Sequence, residues 1–262
     1  MPTGKQPERR AAICRKFILQ NNSPKDISVL ETEFSQRGGI SVLNLLEDYI
    51  SHSLPEQGEF ETNPNLLKKV NPEGEFLSFY GNTVVFLLED RTKKLLAELQ
   101  SQLYKAAGDM LSQPLHPDTF HMTLHDLVNS TELTADLCRK MEETKKQTES
   151  FLALWRAQPP LRMKATWLFN MVNTSIVLGL APADQETAFR LDALYTAMES
   201  IVPLGYGLTP HITMAYFRPG RYFPGQLRSL QNALHPIELE LELHMDQLVH
   251  QTFTDMNHYQ SS

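Results

Sequence analysis

The chain has 262 residues, 41% apolar and 21% charged, with a formal net charge of −7 and a pI near 5.7. This is the composition of a folded globular protein with length enough for one large domain or two small ones. The acidic balance excludes a broad basic surface of the kind that tracks long nucleic acids, whereas a small phosphorylated ligand needs only a local cluster of donors and stays open. Cys14 and Cys138 are too few for a disulfide framework and stand in no C-x-x-C spacing, which suggests a reducing compartment. Lys5, Arg9, Arg10, Arg15 and Lys16 precede the polar "QNNSPKD" with no long apolar run between. That pattern is neither a signal peptide nor a membrane anchor, so a cytoplasmic, membrane-free protein is expected.

Residues 1–70 are polar, with scattered Pro and Gly and one helix expected around "ISVLNLLEDYISHSL". They read as an extension packed on a main domain of residues 71–262. At "FLSFYGNTVVFLLED" the texture changes to β-branched, aromatic and leucine residues, the signature of a buried strand. "RTKKLLAELQSQLYKAAG" follows as a helix, with Leu95, Leu96, Leu99, Leu103 and Ala107 on one face and Gly108 at its C-cap. "TELTADLCRKMEETKKQTESFLALWRAQPP" is a long connecting helix over about 131–157. The strand-then-helix order then returns in "WLFNMVNTSIVLGLAP", read as one strand, and "ADQETAFRLDALYTAMESIV". Near the end, "HPIELELELHMDQLVH" alternates strictly and predicts a strand with one wet face.

Within this order a tetrapeptide pattern recurs. "HMTL" occupies 121–124 and "HITM" occupies 211–214, a shift of 211 − 121 = 90. Asn82-Thr83 and Asn173-Thr174 are shifted by 173 − 82 = 91. A strand, helix and His-x-Thr unit is therefore written twice, over about 76–130 and 163–250, and the period points to a duplicated half-domain. The expected class is α+β, with mostly antiparallel sheets.

Side chains alternate across a strand, so His121 and Thr123 share one face, as do His211 and Thr213. If the two halves meet about a pseudo-twofold axis, two imidazoles and two hydroxyls surround one point. Paired imidazoles suit general acid and base catalysis near neutral pH. Threonine hydroxyls can hold the non-bridging oxygens of a phosphate between them. Metal-free phosphodiester cleavage fits this set. Arg218 and Arg221, just past the second motif, are candidates for positive charge, and Tyr80, Tyr216 and Phe217 for stacking on a base. His125 is expected to line the groove or support it.

The paired motifs, about 90 residues apart and each following a strand and helix, resemble the signature of the two-histidine (2H) phosphoesterases, the superfamily of LigT-like RNA ligases and cyclic nucleotide phosphodiesterases. The resemblance covers roughly 76–250. It implies a bilobal fold with a groove between the lobes, catalytic roles for His121 and His211, phosphate binding by Thr123 and Thr213, and no metal or other cofactor. It further implies a small substrate: a 2′,3′-cyclic phosphate, a 2′,5′ linkage or an RNA end. A monomer is expected.

Blander readings stand beside this one. A lone His-x-Thr arises often by chance and a strand histidine is usually structural; the weight lies in the pair. His116, His121 and His125 suggest a zinc site, but residues four apart on a strand lie about 13 Å from one another at about 3.3 Å per residue. A binding module that holds a nucleotide or RNA end without turnover remains the non-enzymatic alternative.

Overall fold

The computed structural model describes residues 54–55 and 57–261. The helix expected over 40–54 lies outside them apart from its last residue. The first half contributes β1 (Phe60–Glu61), β2 (Tyr80–Leu87), α1 (Asp90–Ala107), β3 (His121–Ser130) and the connecting α2 (Ala135–Trp155). The second contributes β4 (Leu161–Met171), β5 (Ser175–Pro182), α3 (Gln185–Glu199), β6 (His211–Tyr216), β7 (Arg221–Tyr222) and α4 (Pro224–Ala233). Three strands close the chain: β8 (Glu240–Leu243), β9 (Leu248–Asp255) and β10 (His258–Ser261).

Eight strands form one sheet in the order β10-β9-β2-β3-β6-β5-β4-β8, and β1 pairs with β7 in a two-stranded ribbon. All the strand pairings are antiparallel. The order is palindromic in role: β9-β2-β3 on one side is matched by β4-β5-β6 on the other, and β3 meets β6 at the centre. The fold is α+β and two-lobed, as the duplicated pattern predicts.

β2 is buried along nearly its whole length, with Val84, Val85 and Phe86 at 0% exposure. β-branched and aromatic side chains suit such a strand, and burying each contributes about 1.5–3 kcal/mol. Thr134 caps α2 by accepting from the Leu137 N–H at 3.2 Å, and Asp184 caps α3 from Thr187 at 2.8 Å. In α1 the inward stripe is Leu96, Gln100, Leu103 and Ala107, while Leu95 is 42% exposed. Leu99, expected on the inward stripe, is only partly buried, and Gln100 takes the inward place, where its Nε2 donates to the carbonyls of Leu115 at 3.1 Å and Met214 at 3.0 Å.

The stretch read as one strand from Trp167 to Pro182 is a hairpin. β4 and β5 are joined by a turn in which Thr174 N–H donates to Met171 O at 3.0 Å, with Val172 at φ 46° and Asn173 at φ 59°. Two successive positive φ values are what a type I′ turn requires, and Asn tolerates them while Val does not. Asn173 is thus a turn former, whereas Asn82 sits inside β2, donates to Thr144 Oγ1 at 2.9 Å and accepts from Val128 N–H at 3.1 Å. Both Asn residues are structural, but they are not equivalent members of the repeat. By register β2 and β5 are offset by 92, since Val84 faces His125 as Ile176 faces Ala215.

Described residues before 71 belong to the same core: Leu54, Phe60, Leu66 and Val70 are all buried in it. The strap runs past the β4–β5 turn, where Asn173 Nδ2 donates to Glu61 O at 3.0 Å, and ends in a 3-10 helix, Pro64–Lys68. Among the described residues no helix is long and apolar enough to cross a membrane.

Candidate active site

Each motif histidine opens its strand, and a threonine precedes each by two positions: Thr119 before His121, Thr209 before His211. His211 donates from Nδ1 to the Thr209 carbonyl at 2.7 Å, which leaves Nε2 bare in the neutral ring. His121 has a matching bond to the Thr119 backbone.

Met122 pairs with Ile212 where β3 meets β6. In an antiparallel pair, one step to either side sets His121 opposite Thr213 and Thr123 opposite His211. Met122 and Ile212, at 0% exposure, turn into the core. Alternation therefore turns all four motif residues to the other face, where they line one cleft of about 560 Å³.

Immediately after each Thr the strand bulges. Pairing with β2 jumps from Val85↔Thr123 to Val84↔His125, leaving Leu124 over; pairing of β5 with β6 jumps from Val177↔Thr213 to Ile176↔Ala215, leaving Met214 over. An extra residue reverses the alternation beyond it. Asp126 and Tyr216 consequently join the cleft, and His125 and Ala215 turn into the protein. The Met214 carbonyl freed at the second bulge is the one Gln100 satisfies.

Burial lowers the pKa of His121 from 6.5 to about 4; the Thr119 bond and the Asp126 charge oppose this, and the nearby His211 adds to it. Burial also lowers that of His211, opposed by the Thr209 bond and Asp126 and assisted by the Lys69 charge. Both rings are thus held largely neutral at pH 7.

The walls are aromatic. Phe79 and Phe253 stack at 5.9 Å between centroids, and Tyr259 meets the His121 ring edge-on at 4.9 Å. The Lys69 ammonium lies 5.0 Å from the centroid of Phe79 and 5.7 Å from that of Tyr216. Lys69, Asp126, Tyr206 and Tyr259 were not found from sequence: Asp126 needs the bulge, and the other three arrive from elements with no motif of their own.

Of the other sequence candidates, Tyr216 lines the cleft. Phe217 is fully buried against Phe60, 5.0 Å between centroids. Tyr80 begins β2 opposite Ser130 and is outside the cleft lining. Arg218 donates from Nε to Pro72 O at 2.8 Å, and Arg221 pairs with Glu61 at 3.3 Å on the exposed ribbon, so neither supplies the cleft's charge. His125 leaves the groove because of the bulge; its Nε2 donates to Glu199 Oε1 at 3.0 Å and its ring packs on Tyr195 at 5.2 Å. That placement also separates His125 from His121 as a metal pair. Among the described residues no group of three His, Cys, Asp or Glu is gathered so as to hold a metal ion.

No protein-family model matches the chain, and no curated protein matches it. Solved structures do. A conserved protein of unknown function from Agrobacterium tumefaciens is 19% identical, with a TM-score of 0.54 over 78% of this chain and 93% of that one. The two share a fold. TT0787 of Thermus thermophilus (15% identical, TM-score 0.46, 69% and 94% of the two chains) and E. coli LigT complexed with 3′-AMP (12%, 0.45, 70% and 95%) are more distantly similar.

Proposed function

We propose that the chain is a two-histidine phosphoesterase that cleaves a small phosphodiester without a metal, with His121 and His211 as general acid and base and Thr123 and Thr213 as phosphate ligands. The observation that carries this reading is the Met122–Ile212 pairing, which sets each motif histidine across from the other motif's threonine in one cleft. In-line displacement at phosphorus needs proton transfer on two opposite sides, and two rings related by a pseudo-twofold axis supply it. One neutral imidazole takes a proton from water as the water oxygen bonds to phosphorus. The bond from phosphorus to the leaving oxygen breaks, and that oxygen takes a proton from the other ring, in its imidazolium form. A cyclic phosphate opens to a phosphomonoester with a freed hydroxyl; a linear diester yields a phosphomonoester and an alcohol. The threonine hydroxyls donate to the two non-bridging oxygens, which carry the growing charge.

The cleft walls favour a nucleotide. Phe79, Phe253 and Tyr259 offer ring faces and edges for a base, and stacking of this kind contributes about 1–3 kcal/mol per base. The test is turnover of 2′,3′-cyclic nucleotides and 2′,5′-linked dinucleotides in excess EDTA, by the wild type and by a His121→Ala/His211→Ala double variant. EDTA-resistant turnover that the variant lacks supports the reading; turnover equal in both proteins defeats it. Tight nucleotide binding without turnover would favour the binding module instead.

A further inference from the structure

The cleft holds more hydrogen-bond donors than a diester can use. A phosphodiester has two non-bridging oxygens, and under the reading above Thr123 and Thr213 take one each. Beside them stand three further donors. The Tyr216 hydroxyl donates to Met256 Sδ at 3.1 Å, and the Tyr259 hydroxyl makes a long contact of 3.9 Å to the same sulfur. A thioether is a weak acceptor, so both phenols are free to turn to a better one. The third is Lys69, whose ammonium lies over the Tyr216 ring. Among the described residues it has no carboxylate at ion-pair distance; the rings of Phe79 and Tyr216 hold it instead. Met256 itself is 2% exposed, so the sulfur marks the buried floor on which the two phenols converge.

Two phenol donors and a cation in a cleft of an acidic protein call for an anion with several terminal oxygens. A phosphomonoester has three, carries a charge of about −1.5 to −2 at pH 7, and forms charge-assisted bonds to such groups. We infer that Lys69, Tyr216 and Tyr259 form a second anion subsite beside the catalytic pair, and that the substrate is a phosphodiester bearing an additional terminal phosphate. The inference rests on the proposed reading of the cleft and narrows its substrate class. The strap before residue 71 takes part in it, because Lys69 follows the 3-10 helix Pro64–Lys68 whose start Asn63 caps.

The experiment uses two nucleoside 2′,3′-cyclic phosphates that differ only in a 5′-phosphate, and reads the ratio of their kcat/KM values. The wild type is expected to favour the phosphorylated substrate roughly 10-fold or more, the scale of a lost charge-assisted contact. Lys69→Met and, separately, Tyr216→Phe/Tyr259→Phe should bring that ratio toward one, with melting temperatures confirming that the variants fold. A wild-type ratio near one overturns the inference. So do variants that lower both substrates in parallel and keep the ratio, since the donors would then serve the scissile phosphate. If the wild type turns over neither substrate, calorimetry with a nucleoside 5′-monophosphate against the bare nucleoside decides the subsite independently of the catalytic reading. Phosphate-dependent binding lost in Lys69→Met supports it; binding indifferent to the phosphate overturns it.

Discussion

Met122 and Ile212 face each other in the pairing that joins β3 to β6, and through it the two lobes share one sheet and one cleft. Because both side chains turn inward at 0% exposure, the residues on either side of them turn outward together. The proposed catalysis requires both histidines. Replacing either His121 or His211 by Ala should lower kcat/KM by about 100-fold or more, the scale of general acid or base catalysis. Thr123→Ala and Thr213→Ala should cost less. Near-UV circular dichroism should be unchanged, because these side chains face the cleft and not the core; near-full activity in His211→Ala would contradict the proposal.

The proposed mechanism needs one neutral and one protonated imidazole in the free protein. Burial lowers His121 to about 4 and brings His211 below 6.5, so the one-proton form is most populated on the acid side of 6.5. The kcat/KM profile is expected to be bell-shaped, with its optimum on the acid side of 6.5. A bound phosphate anion favours the imidazolium, so the alkaline limb of kcat should lie at higher pH than that of kcat/KM. A kcat/KM that rises steadily to pH 9 would count against the pair.

The same shifts set a stability profile. His121, His125, His211 and His250 all have pKa values lowered mainly by burial. Between pH 6.5 and these lower values the unfolded chain binds more protons than the native one, so stability falls as pH falls through that window and is fully present above it. For His121 alone, a change from 6.5 to about 4 corresponds to about 3 kcal/mol. Urea unfolding at pH 7.5 and pH 5 should show the loss, and His121→Gln should make it smaller.

Gln100 ties α1 to the bulge in β6. Gln100→Ala strands the Leu115 and Met214 carbonyls and should destabilise the protein by about 2 kcal/mol. Since Met214 is the extra residue that turns Tyr216 into the cleft, the variant should also raise KM. An unchanged urea midpoint would remove Gln100 from this role.

Val172 carries a β-branched side chain at φ 46°, 52% exposed, in the first central position of a type I′ turn. Val172→Asn or Val172→Gly should relieve the strain and stabilise the fold by about 0.5–1 kcal/mol, read as a higher melting temperature with unaltered activity. A fall in melting temperature would show that the side chain contributes more than the strain costs.

Much of this was legible in the residues. The β-branched run of β2, the long helix α2, the duplication near 90 residues and the sharing of one strand face by His121 with Thr123 and by His211 with Thr213 all follow from local spacing, because alternation and helical period act over a few residues. Those local rules, however, extend only as far as the strand stays regular. A bulge is one residue that pairs with nothing, and no residue type announces it at Leu124 or Met214. Past it every side chain changes face, which sends His125 to Glu199 and brings Asp126 and Tyr216 to the cleft. The cation was equally out of reach. Arg218 and Arg221 are near the motif in sequence but are held elsewhere by Pro72 O and Glu61, while Lys69, 142 positions before His211, is carried there by a strap whose leucine and valine side chains pack into the core. Motif chemistry is written in short periods of sequence; the neighbours that charge and shape the site are chosen by long-range packing, which has no period to read.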